Sequence, residues 1–231
     1  MRPRLSSGEF REAFDPMDTQ GQGFIEGNAW NYGLYVPQDI DKMIDMRGGN
    51  ARFTEHLDSL FTMEIDEKYI EKHEDITRDG IIGNYVHGNE PGHHIPYLYN
   101  WTGHPEKTQE RVRMIMQTMY DHTVEGLCGN DDAGQMSAWY ILSTLGFYSV
   151  NPGSSNYALG SPLVKEAMIT FPNGKTTKIV ARNQSTKNIY VSSVSVNGEK
   201  VKNNTLTHKE LTSGGEIIFE MAPSAPKSKH L

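Results

Sequence analysis

The hydrophobic period changes once along this chain, near residue 147, and that change limits the fold more than any single motif. Before it, apolar residues recur at helical spacing. Phe53, Leu57, Leu60 and Phe61 fall at i, i+4, i+7 and i+8, and Val112, Ile115, Met116 and Met119 form a second stripe. After it, residues 167–171, 178–181, 189–196 and 215–221 read as short strands. Asn173-Gly174 and Asn197-Gly198 are type I′ hairpin signals between them. A helical region over 1–150 and an antiparallel β region over 151–222 are therefore expected, with a polar Pro/Ser/Lys tail, 223–231, expected to be disordered.

Within the helical region, Pro37 is expected to open a helix carrying Ile40, Met43 and Ile44, which Gly48-Gly49 stops. Asn50 is placed to cap the next helix, and residues 64–75 read as its acidic successor. An apolar-aromatic segment covers 95–101, and a helix starting at Pro105 is expected to end by Gly126. Short glycine or proline turns between helices suggest stacked hairpins, and about six helices are too few to close a large helical ring. Four or five strands would want another layer. Both halves read as parts of something larger.

Several functions are excluded by composition. A formal charge of −7 lacks the basic stripe of a nucleic-acid binder. No apolar run approaches the roughly 18 residues that cross a bilayer. The single cysteine, Cys128, excludes an intrachain disulfide. Met1-Arg2-Pro3-Arg4 leads into polar residues, without the apolar stretch of a signal peptide.

Three acidic loops carry the candidate chemistry: Glu26; His73-Glu74 with Glu90 beyond it; and Asp131-Asp132. In the stretch 128–140, Asp132 followed by Gln135 reads as a capping box, and Met136, Trp139, Tyr140 and Ser143 share one side of the ensuing helix. A carboxylate at a helix N-terminus is favoured in its ionised form, as a general base requires. Capping alone is the plainer use of Asp132. Glycosidic cleavage needs two carboxyl groups, one protonated and one ionised. The oxygen-rich set Asn89, Glu90, Asn130, Asp131 and Asp132 would also suit calcium, although its spacing is not that of an EF-hand. His73-Glu74 lacks the second histidine of H-E-x-x-H, since position 77 is threonine. His93-His94 read as packing residues, and nothing near Cys128 marks a dedicated base for it. The aromatics Trp30, Tyr32, Tyr97, Tyr99, Trp101, Trp139 and Tyr140 read mainly as core, with one or two at a cleft. A non-catalytic carbohydrate-binding or helical interaction fragment is the alternative reading.

Three stretches in order, Glu26-Gly27-Asn28-Ala29-Trp30, Gly88-Asn89-Glu90-Pro91-Gly92-His93-His94 and Gly129-Asn130-Asp131-Asp132-Ala133-Gly134-Gln135, resemble glycoside hydrolase family 92 over residues 1–220. The resemblance implies a fragment of an inverting, calcium-dependent exo-α-mannosidase, many of whose members act on terminal α-1,2-linked mannose. It implies an α+β fold: the later part of an (α/α)6 toroid of helical hairpins, then a small β-sandwich-like region, preceded in the same polypeptide by an N-terminal domain this chain lacks. By position in the motifs, Glu26 matches the general acid and Asp132 the general base, with Asp131 assisting. Glu90 matches a residue near the calcium. His73 and Glu74 match the pair contacting the leaving mannose, and Trp30 and Asn28 fall among substrate-binding positions. Mannose-containing glycans are the implied partners, calcium the implied cofactor, and a periplasmic or secreted home the implied location.

Overall fold

A computed structural model describes residues 1–19, 22–70 and 77–226. The expected contacts of His73 and Glu74, and most of the expected disordered tail, lie outside the described residues. Two compact units interleave along the chain. The first is Met1–Ile95 with Met119–Met136, and the second is Pro96–Thr118 with the described residues from Ser137 on.

The first unit is helical and loop-rich. A single turn, α1 (Ala29–Tyr32), is capped by Asn28. Helix α2 (Ile40–Met46) starts three residues after Pro37, because the Asp39 side chain accepts from the Lys42 amide and caps it there. Helix α3 (Asn50–Thr62) buries Phe53, Leu57, Leu60 and Phe61, as their spacing predicts. Asn50 lies in its first turn and does not cap it: Gly49, at φ 87°, occupies the cap without a side-chain bond. The acidic helix expected over 64–75 reduces among the described residues to the 3-10 turn Glu67–Tyr69. Strands β1 (Ile81–Ile82) and β2 (Tyr85–Val86) then pair antiparallel.

The 95–102 segment, whose first residue belongs to the first unit and the rest to the second, ends its 3-10 helix at Thr102 and is followed in the second unit by α4 (Pro105–Thr118). Its stripe Val112, Ile115 and Met116 is buried, and the helix stops well short of Gly126. Helix α5 (Gln135–Leu145) precedes the strands β3 (Phe147–Tyr148), β4 (Asn156–Leu159), β5 (Glu166–Thr170), β6 (Thr176–Arg182), β7 (Tyr190–Val196), β8 (Glu199–Lys200) and β9 (Thr205–Thr207). Then come α6 (His208–Thr212), held by a Thr207–Glu210 capping box, and β10 (Gly215–Ala222).

The strands form a five-stranded sheet ordered β5-β6-β10-β7-β8 and a three-stranded sheet β3-β4-β9. The larger sheet is mixed rather than antiparallel, since β10 runs parallel to β6 at its centre. The connection from β6 to β10 passes through three strands and α6, long enough for a crossover. One core takes side chains from both sheets: Ile179, Val194, Ile217 and Phe219 from the larger, Phe147, Leu159 and Leu206 from the smaller.

Of the two Asn-Gly turns, 197–198 is type I′, with Asn197 at φ 51° and Gly198 at φ 88°. The 173–174 turn is different. Among the residues with positive φ, Gly174 (φ 78°) is present and Asn173 is not. Gly174 N–H donates to Phe171 O, and Phe171 N–H to Lys175 O, both at 2.9 Å. With Pro172 setting φ at the first corner, this is a type I turn closed by a left-handed glycine bulge.

Candidate active site

The site lies in the first unit, where three loops meet at glycines. A Cβ on Gly129 would stand 2.5 Å from Gly88 O, and one on Gly80 would stand 2.8 Å from Cys128 O. Backbones this close bring the 87–93 loop against the 128–134 loop, and with it Glu90 against Asp132. Gly129→Ala is expected to cost about 1–3 kcal/mol, because one backbone must move. Thermal denaturation checks it, and an unchanged midpoint would show that the loops have slack.

Glu26, Glu90 and Asp132 converge, although they are far apart in sequence. The Asp132 carboxyl lies within hydrogen-bonding reach of Glu90, and the charges of both Asp132 and Glu26 act on Glu90. Burial, then the Asp132 and Glu26 carboxylates, push the Glu90 pKa up to about 7, against an opposing bond from its own backbone. Asn89 donates from Nδ2 to Glu26 Oε2 at 2.6 Å. The Tyr32 hydroxyl also bonds Glu26, and burial and the Glu26 charge raise its pKa, which keeps it a neutral donor.

The capping box read at Asp132 does not form in that register. The helix begins at Gln135, after a left-handed run at Asp132 (φ 40°), Ala133 (φ 57°) and Gly134 (φ 87°). The loop's backbone caps the helix instead: Gln135 N–H donates to Asp132 O and Met136 N–H to Asp131 O. That leaves the exposed Asp132 carboxyl turned to Glu90. A non-glycine residue at such a φ is uncommon and costs energy, which the surrounding loop must offset.

Asn28, placed among substrate contacts by sequence, is 1% exposed. Its Oδ1 accepts from the Trp30 and Asn31 amides and from Asn31 Nδ2, while its Nδ2 donates to Asn84 Oδ1 and Met17 O. Asn28 is thus occupied as a helix cap. Trp30 is partly buried and stacks on His56, with centroids 4.4 Å apart and planes 6° from parallel. Asp131 is partly buried. Burial pushes the Cys128 thiol up to about 11, so it is not a thiolate nucleophile at neutral pH.

Behind the acids runs a neutral histidine network, of which the sequence reading weighed only His93, as a packing residue. The Tyr120 hydroxyl donates to Met136 O at 3.1 Å, so it accepts from His87 Nε2 at 2.7 Å. His87 Nδ1 is then the acceptor of the Tyr85 hydroxyl, also at 2.7 Å. His93 Nε2 donates to His87 O at 2.9 Å, and its Nδ1 accepts from Gln135 Nε2 at 3.3 Å. Burial holds His87 well below the ordinary histidine range and pushes His93 down to about 4. The network ties the Glu90 loop to the start of α5. The signal for it was His87 and His93 beside glycines in a loop, which periodicity does not weigh.

Glu90 Oε1 is a buried carboxylate oxygen without a hydrogen-bond partner, which fits an oxygen ligand for a hard cation. Among the described residues no group of three or more His, Cys, Asp or Glu side chains is arranged to hold a metal.

The family model for the glycosyl hydrolase family 92 catalytic domain matches residues 1–223. A family 92 alpha-mannosidase from Bacteroides thetaiotaomicron, solved in complex with mannoimidazole, superposes with a TM-score of 0.89 at 39% identity, covering 98% of this chain and 30% of that one. An inverting mannosidase of the same family and organism superposes with a TM-score of 0.83 at 34% identity, covering 97% and 31%. An uncharacterized secreted glycosidase of Arthroderma benhamiae is 27% identical over 208 residues, 89% of this chain and 24% of that protein. The chain thus spans about a third or less of the relatives it matches. Three motifs in order, a match along nearly the whole sequence and a shared fold lead to one statement: the chain belongs to glycosyl hydrolase family 92.

Proposed function

We propose that the polypeptide carrying this chain is an inverting exo-α-mannosidase that removes terminal α-1,2-linked mannose from glycans. Its helices would form the later turns of an (α/α)6 toroid. The observation that carries this reading is the convergence of Glu26, Glu90 and Asp132. Glu26 gives its proton to the glycosidic oxygen as the bond to the anomeric carbon breaks. Asp132 takes a proton from the water that attacks the opposite face, with Asp131 beside it. Room for that water calls for roughly 6.5–9.5 Å between the two carboxyls. His73, Glu74 and Trp30 are the proposed sugar contacts. Calcium held at Glu90 would bind sugar hydroxyls and favour a distorted ring. The secreted relative supports an extracellular or periplasmic home.

The test is the anomer first released from α-1,2-mannobiose by the complete polypeptide, read by NMR before mutarotation. β-Mannose is expected; α-mannose, or no release from any α-mannobiose, would overturn the reading. The isolated chain is expected to be inactive, since it spans about 30% of its solved relatives.

Calcium binding should be linked to pH through Glu90. With its pKa raised from 4.5 to about 7, the folded chain holds this proton more tightly than the unfolded one. The resulting stability is full below the unfolded value and is lost as pH rises through the folded one. A cation competes with the proton, so calcium is expected to raise the melting temperature more at pH 8 than at pH 6. Glu90→Gln should abolish that difference. Equal shifts at both pH values would place calcium elsewhere.

A further inference from the structure

We infer that Asn89 is a positioning residue that holds the Glu26 carboxyl by Oε2, so that its transferable proton sits on Oε1, and that Tyr32, bonded to the same carboxyl, is a second positioning residue. The inference rests on Glu26 being the acid. A carboxylic acid protonates a leaving oxygen only if the oxygen bearing the proton faces it, and a freely turning carboxyl presents either one. Here the two oxygens are not equivalent. Oε2 accepts a 2.6 Å bond from the Asn89 amide, so this oxygen takes the carbonyl role and Oε1 the hydroxyl role.

The two donors are themselves fixed. Asn89 is 4% exposed and belongs to the loop held by the His87–His93 network. Tyr32 sits at the end of α1 with its ring against the Gly27 backbone, where a Cβ would meet Tyr32 Cε2 at 2.9 Å. Gly27 at φ 66° is therefore needed twice, for its own conformation and for the tyrosine beside it. Phe24 packs on the ring at 5.8 Å between centroids. Glutamate, glycine and tyrosine within seven residues thus build the acid and its support together. An unsupported carboxyl would lose alignment in the transition state, where a small misplacement is costly.

Tyr32→Phe and Asn89→Asp each remove a donor with little change of shape. Both should be made in the complete polypeptide, alongside Glu26→Gln. Each is assayed on α-1,2-mannobiose, whose leaving alkoxide needs a proton, and on 2,4-dinitrophenyl α-mannoside, whose leaving phenolate does not. Glu26→Gln should lose activity selectively on the disaccharide. Tyr32→Phe and Asn89→Asp should follow it in part, losing roughly tenfold on the disaccharide and within about twofold on the activated glycoside. Equal losses on both substrates, or none on either, would overturn the inference and leave the acid assignment standing. A Glu26→Gln variant that loses equally on both would overturn the two together.

Discussion

In the complete polypeptide, Glu26→Gln and Asp132→Asn are each expected to lower kcat on α-1,2-mannobiose by about 10²–10⁴-fold, with KM changed only a few-fold. Both substitutions keep size and shape and remove only the ability to give or take the proton. Their fingerprints should differ. Without the acid, the chemistry stalls at leaving-group departure, so a substrate with a good leaving group restores most of the rate. Without the base, departure is still assisted but water is a poor nucleophile. An anion that needs no deprotonation, such as azide, should restore turnover to Asp132→Asn and yield the β-mannosyl azide, as attack on the opposite face requires. Azide should do nothing for Glu26→Gln on the disaccharide. The geometry makes this a strong test of Asp132. Its backbone is held at φ 40° and its carboxyl faces Glu90, a residue that keeps its proton to about pH 7. If either variant changed KM alone, its carboxyl would be binding sugar rather than moving a proton.

The parts of this arrangement that could be read from sequence are those set by neighbours along the chain. The stripe Phe53, Leu57, Leu60, Phe61 and the turn at Asn197-Gly198 follow from local spacing and backbone preference, and both formed. The acids were legible as residue types beside glycines, but their meeting was not, because it depends on backbone contact between Gly88 and Gly129, some forty positions apart. Local rules also erred where another residue outweighed them. Pro172 turned the 173–174 corner from type I′ into type I, and Asp39 moved the start of α2 past Pro37. Asn28 and Asp132 show the same limit: the amide placed among substrate positions caps a helix, and Asp132, matched to the general base by its motif, faces another carboxyl instead of forming the capping box its spacing also suggested. The parallel pairing of β10 with β6 left no trace in either strand, since alternation does not record a neighbour's direction.

Arg113→Leu is expected to destabilise the second unit by about 3–5 kcal/mol. The side chain is 1% exposed. Its guanidinium lies against three backbone carbonyls: Ser161 at 3.3 Å from Nε, Ser185 at 3.5 Å from Nη1, and Pro162 closely from Nη2. Burial alone pushes its pKa down to about 10, so the charge carries a desolvation cost that these bonds offset. The fork joins α4 to the β4–β5 and β6–β7 connections. Gln109 and Glu110 on the same helix add bonds from the Val191 amide and the Tyr190 hydroxyl at the start of β7. Leucine removes the buried charge, which by itself would help, but it leaves the carbonyls without donors in a dry place, and that penalty decides the sign. Arg113→Lys should recover part of the loss, since an ammonium donates from one point and cannot span the three oxygens. Chemical denaturation of the chain checks both. A leucine variant as stable as the parent would mean that water reaches the carbonyls and that the arginine is no clamp.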